Sequence, residues 1–116
     1  MGLRVDSCFD GCGMTYQALK NQGIAVDRYY ASEIDKYAIS IAKKNHNDII
    51  QLGDITKQNT LPRNIDLMVA GSPCQGFSFA GKQLAFSDSR SRLFFTWVER
   101  LKKIKPRYFL FENVKM

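Results

Sequence analysis

The chain of 116 residues contains one histidine, one tryptophan, three cysteines and three prolines, and none of its apolar runs exceeds four residues. The longest runs include Leu67 to Ala70 and Tyr108 to Phe111. A helix that crosses a bilayer needs about 20 apolar residues, so no membrane span is expected. Cys8, Cys12 and Cys74 are odd in number and form no pairing pattern, which argues for a reducing compartment over a disulfide framework. Cys8 and Cys12 stand four apart with His46 as the lone histidine, so no zinc spacing exists and no metal is expected. Arg4, Asp6 and Asp10 already interrupt the first ten residues, which excludes the apolar core of a signal peptide there. Repeats, low-complexity tracts and linkers are lacking as well. Together these absences predict one soluble, cytoplasmic domain.

What is present has an ordinary globular balance, with 45% hydrophobic residues. Seventeen Lys and Arg against 11 Asp and Glu give a net charge of +6. A basic surface concentrates polyanions and suits nucleic acid, although solvated lysines give the same count.

Short apolar runs alternate with amphipathic ones. Val5 to Phe9, Arg28 to Ser32, Ile49 to Leu52, Ile65 to Ala70 and Tyr108 to Phe111 read as strands. Met14 to Gln22 reads as a helix stopped by Gly23, and Lys36 to Asn45 as a helix capped by Asp35. Tyr37, Ala38, Ile41 and Ala42 form the expected apolar face of the latter. Leu93, Phe94, Trp97, Val98, Leu101 and Ile104 line a third helix, which Pro106 ends. Gly71 to Arg90 reads as a long loop, a length that usually signals function or mobility. The alternation predicts an α/β fold, a parallel sheet with helices on both faces.

Such sheets bind ligands beyond the carboxyl ends of their strands, and three strand ends carry ligand-type residues. The turn Phe9-Asp10-Gly11-Cys12-Gly13 follows the first strand, where glycines let a ligand approach the backbone. Glu33 ends the second strand 22 residues beyond Gly11, the separation at which a carboxylate accepts from a ribose. Position 16 is Tyr16, so the third glycine of a dinucleotide fingerprint is missing. A nucleoside cofactor without pyrophosphate fits better than a nicotinamide dinucleotide, and a tight turn with no ligand is the plain alternative. Asp54 ends the third strand and could accept from an adenine amino group, with Ile34 and Ile55 on the ring faces. A solvated loop aspartate is the commoner case.

Gly71-Ser72-Pro73-Cys74-Gln75-Gly76 follows the fourth strand. A lone cysteine is usually a small buried hydrophobe. Cys74 follows a strand directly, sits behind a proline and opens a long loop, which makes it a candidate nucleophile beside that commoner reading. An ordinary thiol is only about 3% thiolate near neutral pH, so activation by a helix N-terminus or a cation would be required. Glu112, at the end of the fifth strand, is placed to lie near Cys74 and to act as an acid if burial raises its pKa. Capping a following helix is the other reading.

Phe9-Asp10-Gly11-Cys12-Gly13, Glu33-Ile34-Asp35, Gly53-Asp54-Ile55, Gly71-Ser72-Pro73-Cys74-Gln75, Asp88 to Phe95 and Glu112-Asn113-Val114 occur in that order. In this order they resemble the first six sequence blocks of the cytosine-5 DNA methyltransferases, over essentially the whole chain. The resemblance implies a Rossmann-like fold of the S-adenosylmethionine-dependent type. By the same resemblance Phe9, Asp10, Gly11, Gly13, Glu33, Ile34, Asp54, Ile55, Pro73 and Leu93 would hold S-adenosylmethionine. Cys74 would attack C6 of a flipped-out cytosine while Glu112 holds or protonates N3. Gln75, Ser78, Lys82, Arg90 and Arg92 would contact double-stranded DNA, and the loop after Cys74 would close over the base. The loop and Asp88-Ser89-Arg90 resemble bacterial or phage members.

The first block holds less glycine than many members, with Asp10, Met14 and Thr15 in its place. The chain stops at Met116, two residues past Val114. It is therefore expected to be a partial catalytic domain without a target recognition domain, a fragment or one part of a split enzyme, weakly active or inactive alone. The fifth strand would be uncovered on one side, open to self-association or to a complementary C-terminal subunit. A tRNA cytosine-5 methyltransferase and a non-catalytic remnant that binds cofactor or a partner are the rival readings.

Overall fold

The computed structural model describes the backbone of residues 2–71 and 89–112 and the side chains of 2–71 and 92–112. In chain order the elements are β1 (Leu3–Cys8), α1 (Met14–Asn21), β2 (Val26–Ser32), α2 (Lys36–Asn45), β3 (Ile50–Gln51), a 3-10 turn (Ile55–Lys57), β4 (Leu67–Gly71), α3 (Ser89–Ile104) and β5 (Tyr108–Glu112). The five strands form one sheet in the order β3-β2-β1-β4-β5. Every pairing is parallel. The chain walks outward from β1 to β3, then crosses back to lay β4 on the other side of β1. That reversal puts a topological switch point between β1 and β4, where the two connections leave in opposite directions and open a crevice.

Alternation along each strand sends side chains to two cores. On one face Val5, Tyr29 and Ala31 pack with Tyr16 of α1, Ala42 of α2 and Ile49. On the other, Cys8, Met68 and Ala70 pack with Trp97 of α3 and with Ile55 and Ile65. Helices thus cover both faces, as the alternating pattern predicts. Residues in register at the carboxyl ends are Cys8 with Ser32 and with Ala70, Ala31 with Gln51, and Gly71 with Glu112.

The boundaries differ from expectation. β1 starts at Leu3, and Phe9 leaves it with a left-handed φ of 56°. β4 starts at Leu67, directly after Asp66, whose Oδ2 accepts the backbone N–H of Arg4 at 2.9 Å. α3 reaches back to Ser89, into the segment expected as loop. α2 buries Ala42 but leaves Tyr37 84% and Ile41 47% exposed, a correction to its expected apolar face. The cause is its close seat on Gly13, where a Cβ would stand 3.2 Å from Ala42, so the alanine side of α2 faces inward.

Candidate active site

The turn after β1 is held by backbone hydrogen bonds. Asp10 N–H donates to Ser32 O at 3.2 Å, and Gly13 N–H to Asp10 O at 3.4 Å. Gly11 takes φ 65° with open space where a Cβ would be, so a ligand can approach the chain there. Gly13, at φ 83°, starts α1.

Glu33 ties the loops after β1 and β2 together beside the crevice. Its Oε1 accepts Gly11 N–H at 2.8 Å, and its Oε2 accepts the amides of Ile34 and Asp35, each at 3.0 Å. Gln51, at the end of β3, accepts the amides of Glu33 at 3.1 Å and Gly53 at 3.0 Å. Three successive strand ends are therefore laced together. Asp54 caps the 3-10 turn and accepts from the amide and hydroxyl of Thr56 at 2.8 and 2.7 Å, bonds that hold its carboxyl below the usual range. Ile34 is 69% exposed beside Glu33, whereas Ile55 is buried in the α3-side core. Phe9 and Leu93 are half-buried against that same core.

Asp10 points inward. Its Oδ1 accepts from Ser7 Oγ at 2.7 Å and Tyr29 OH at 2.6 Å, and burial pushes its pKa up against these two bonds. Its Oδ2 is buried without a partner. The Asp10 carboxyl therefore serves the interior. Cys8 is fully buried and its thiol is pushed well up by that burial, so it is no nucleophile.

On the far side of the switch point, Gly71 pairs with Glu112. A methyl group on Gly71 would stand 3.9 Å from Glu112 Oε1, so the carboxyl lies over the end of β4. Glu112 is exposed, and so is Arg92 on α3. Pro73, Cys74, Gln75, Ser78 and Lys82 lie outside the described residues, as does the side chain of Arg90, whose backbone belongs to the first turn of α3. No helix among the described residues is long and apolar enough to cross a membrane.

Two groups of site-forming residues leave weak sequence signals. Gln51 accepts two amides and Ser7 donates to one carboxylate, contacts that follow no sequence period. Arg100 does leave one: it follows Trp97 by three on the inward face of α3, where an apolar residue is expected, and it is 4% exposed.

A parallel sheet in the order β3-β2-β1-β4-β5 with helices on both faces is a Rossmann-like arrangement. Solved methyltransferases share it. A candidate DNA modification methyltransferase encoded within an E. coli prophage superposes with a TM-score of 0.74 at 29% identity, over 97% of this chain and 32% of that one. The S. pombe Dnmt2 methyltransferase, at 23% identity and a TM-score of 0.70, shows the fold alone. The family model for C-5 cytosine-specific DNA methylase matches residues 3–116. The chain belongs to this family. It is 47% identical to the orphan methyltransferase M.Rho11sI of Bacillus phage rho11s, over 97% of this chain and 23% of the relative. It is 40% identical to the type II methyltransferase M.HhaI of Haemophilus parahaemolyticus, over 98% of this chain and 34% of the relative. The chain thus spans about a quarter to a third of the length of these relatives.

Proposed function

We propose that the chain forms the cofactor-binding and nucleophile-bearing part of an enzyme that methylates C5 of cytosine in double-stranded DNA. The single observation that carries this is that the Glu112 carboxyl lies over Gly71, three residues before Cys74, across the switch point from the Gly11–Glu33 contact.

The crevice fits S-adenosylmethionine. Gly11 leaves backbone open to a ligand, the Glu33 carboxylate stands where ribose hydroxyls would donate, and Ile34 offers an exposed apolar surface to a ring. Phe9, Gly13, Asp54, Ile55, Pro73 and Leu93 complete the proposed set, with Asp10 contributing through its backbone. When bound, the sulfonium supplies an electrophilic methyl group. Cys74, as thiolate, adds to C6 of the base, and the electron pair of the C5–C6 double bond becomes available at C5. Glu112 holds or protonates the N3 edge, so that charge does not build up on the ring. After C5 has gained the methyl group, a base removes the C5 proton. Its electron pair restores the double bond and expels Cys74.

A stacked base is out of reach of this chemistry, so the nucleotide is flipped out. Gln75, Ser78, Lys82, Arg90 and Arg92 are the proposed DNA contacts, consistent with the +6 charge. On β5, Tyr108, Phe109 and Leu110 are each about 60% exposed. A complementary C-terminal part or a second copy of the chain would cover this strand.

Calorimetry with S-adenosylhomocysteine tests the crevice, and an oligonucleotide duplex carrying 5-fluorocytosine tests the sulfur, because fluorine at C5 cannot leave as a proton. Saturable binding and a Cys74-dependent adduct on the duplex are expected. Absence of both, or an adduct on RNA only, removes the proposal.

A further inference from the structure

Among the described residues, one ion pair is buried on both sides: Asp6 of β1 and Arg100 of α3, 0% and 3% exposed at their side chains. Arg100 Nε donates to Oδ2 at 2.8 Å and Nη2 to Oδ1 at 3.0 Å, a two-pronged grip. Its third arm, Nη1, donates to Gln58 Oε1 at 2.7 Å, and Gln58 Nε2 donates to Ser32 Oγ at 2.9 Å. Ser32 is the last residue of β2 and directly precedes Glu33. Gln58 directly follows the 3-10 turn that Asp54 caps and that contains Ile55. One guanidinium therefore connects the central strand, the end of β2, the Asp54–Lys57 turn and α3.

Stability does not explain this choice. Two charges lose their hydration on burial, and an apolar pair of similar volume commonly serves as well or better. An apolar pair has no third arm, however, and could not fix Gln58 or, through it, the spacing of the turn from β2. We propose that Arg100 is a positioning residue that clamps the Asp54–Lys57 turn against the end of β2 and so sets the width of the crevice. Its effect on ligand binding rests on the reading of that crevice as the cofactor site.

Arg100→Ala alone would leave Asp6 buried and unpaired, a penalty that by itself threatens folding. Two other variants avoid this. D6L/R100L removes both charges together, and Gln58→Leu keeps the ion pair and cuts the arm. Amide exchange at Thr56 and Lys57, read by NMR, should accelerate about tenfold in both, with protection at Tyr29 and Val69 in the cores unchanged. The dissociation constant for S-adenosylhomocysteine should rise by about tenfold in both. Unchanged exchange at Thr56 and Lys57 in Gln58→Leu overturns the clamp. Faster exchange with an unaltered dissociation constant overturns its role in the crevice. A wild-type chain that binds no S-adenosylhomocysteine overturns the cofactor reading instead, while the exchange data still decide the clamp.

Discussion

Glu33 accepts the amide of Gly11 at 2.8 Å across 22 residues of sequence, so the loops after β1 and β2 are joined before any ligand arrives. The same carboxylate holds Ile34 and Asp35, and three N–H groups converge on two oxygens. Glu33→Ala frees all three amides. Because Glu33 is only half-buried, water can satisfy them, and the loss should be about 1–2 kcal/mol in urea unfolding. The crevice should suffer more than the fold, with S-adenosylhomocysteine affinity down by at least about tenfold. A variant that binds as tightly as wild type would show that Glu33 only ties loops.

Gly13 cannot be exchanged freely for either of two reasons. Its φ of 83° disfavours any L side chain, and an added Cβ would stand 3.2 Å from both Ala42 Cβ and His46 Cδ2. Gly13→Ala should therefore cost about 1–3 kcal/mol, measured as a lower urea midpoint with an unchanged slope. An equally stable variant would mean that α2 can move away from the turn without penalty.

The strand ends and the order of elements were legible because an apolar run followed by Gly or Asp is a local signal. The fifth strand was expected beside the fourth, and the two pair, Gly71 with Glu112; Cys74, expected near Glu112, lies outside the described residues. The inward face of α2 was not legible. Tyr37 and Ile41 carry the hydrophobicity, yet close contact with Gly13 selects small Ala42 for the interior. Nor was the inward turn of Asp10, because its partner Tyr29 is 19 residues away and leaves no periodic trace. Asp6 and Arg100 meet across 94 residues, and only the interruption of two apolar faces hints at either.

The exposed face of β5 predicts association. Tyr108 and Leu110 alternate onto the face covered elsewhere by α1 and α2 and are 62% and 60% exposed, while Phe109 turns toward Trp97 with ring centroids 6.0 Å apart. An outer strand with apolar side chains is a template for pairing. In sedimentation velocity the average mass of the wild-type chain should climb with concentration. Leu110→Lys should weaken that association by about tenfold or more, since it removes one apolar contact and adds a charge at the edge. A wild-type chain monomeric at every concentration tested contradicts this.

His46 predicts how stability depends on pH. It is 3% exposed, its ring is stacked on Tyr16 with centroids 4.7 Å apart, and Nδ1 lies 2.9 Å from Lys20 Nζ. The ammonium can only donate, so Nδ1 accepts and the ring is neutral. Burial first, and the Lys20 charge second, lower its pKa from the ordinary 6.5. The unfolded chain therefore takes up a proton at a pH where the folded chain does not. The contribution of His46 to stability is complete above 6.5 and is lost as pH falls from there toward the folded value. Asp10 works in the opposite sense: its raised folded pKa means that its contribution grows as pH falls through that value toward 3.8. The two separate by mutation. Asp10→Asn removes the acid-side gain, and in that background urea midpoints should decline steadily below pH 6.5. As the only histidine, His46 also gives a single ring signal in NMR, which should titrate below 6.5 in the folded chain. Titration at or above 6.5 would show that the ring carries its proton in the fold, and the contact with Lys20 could not then exist as drawn.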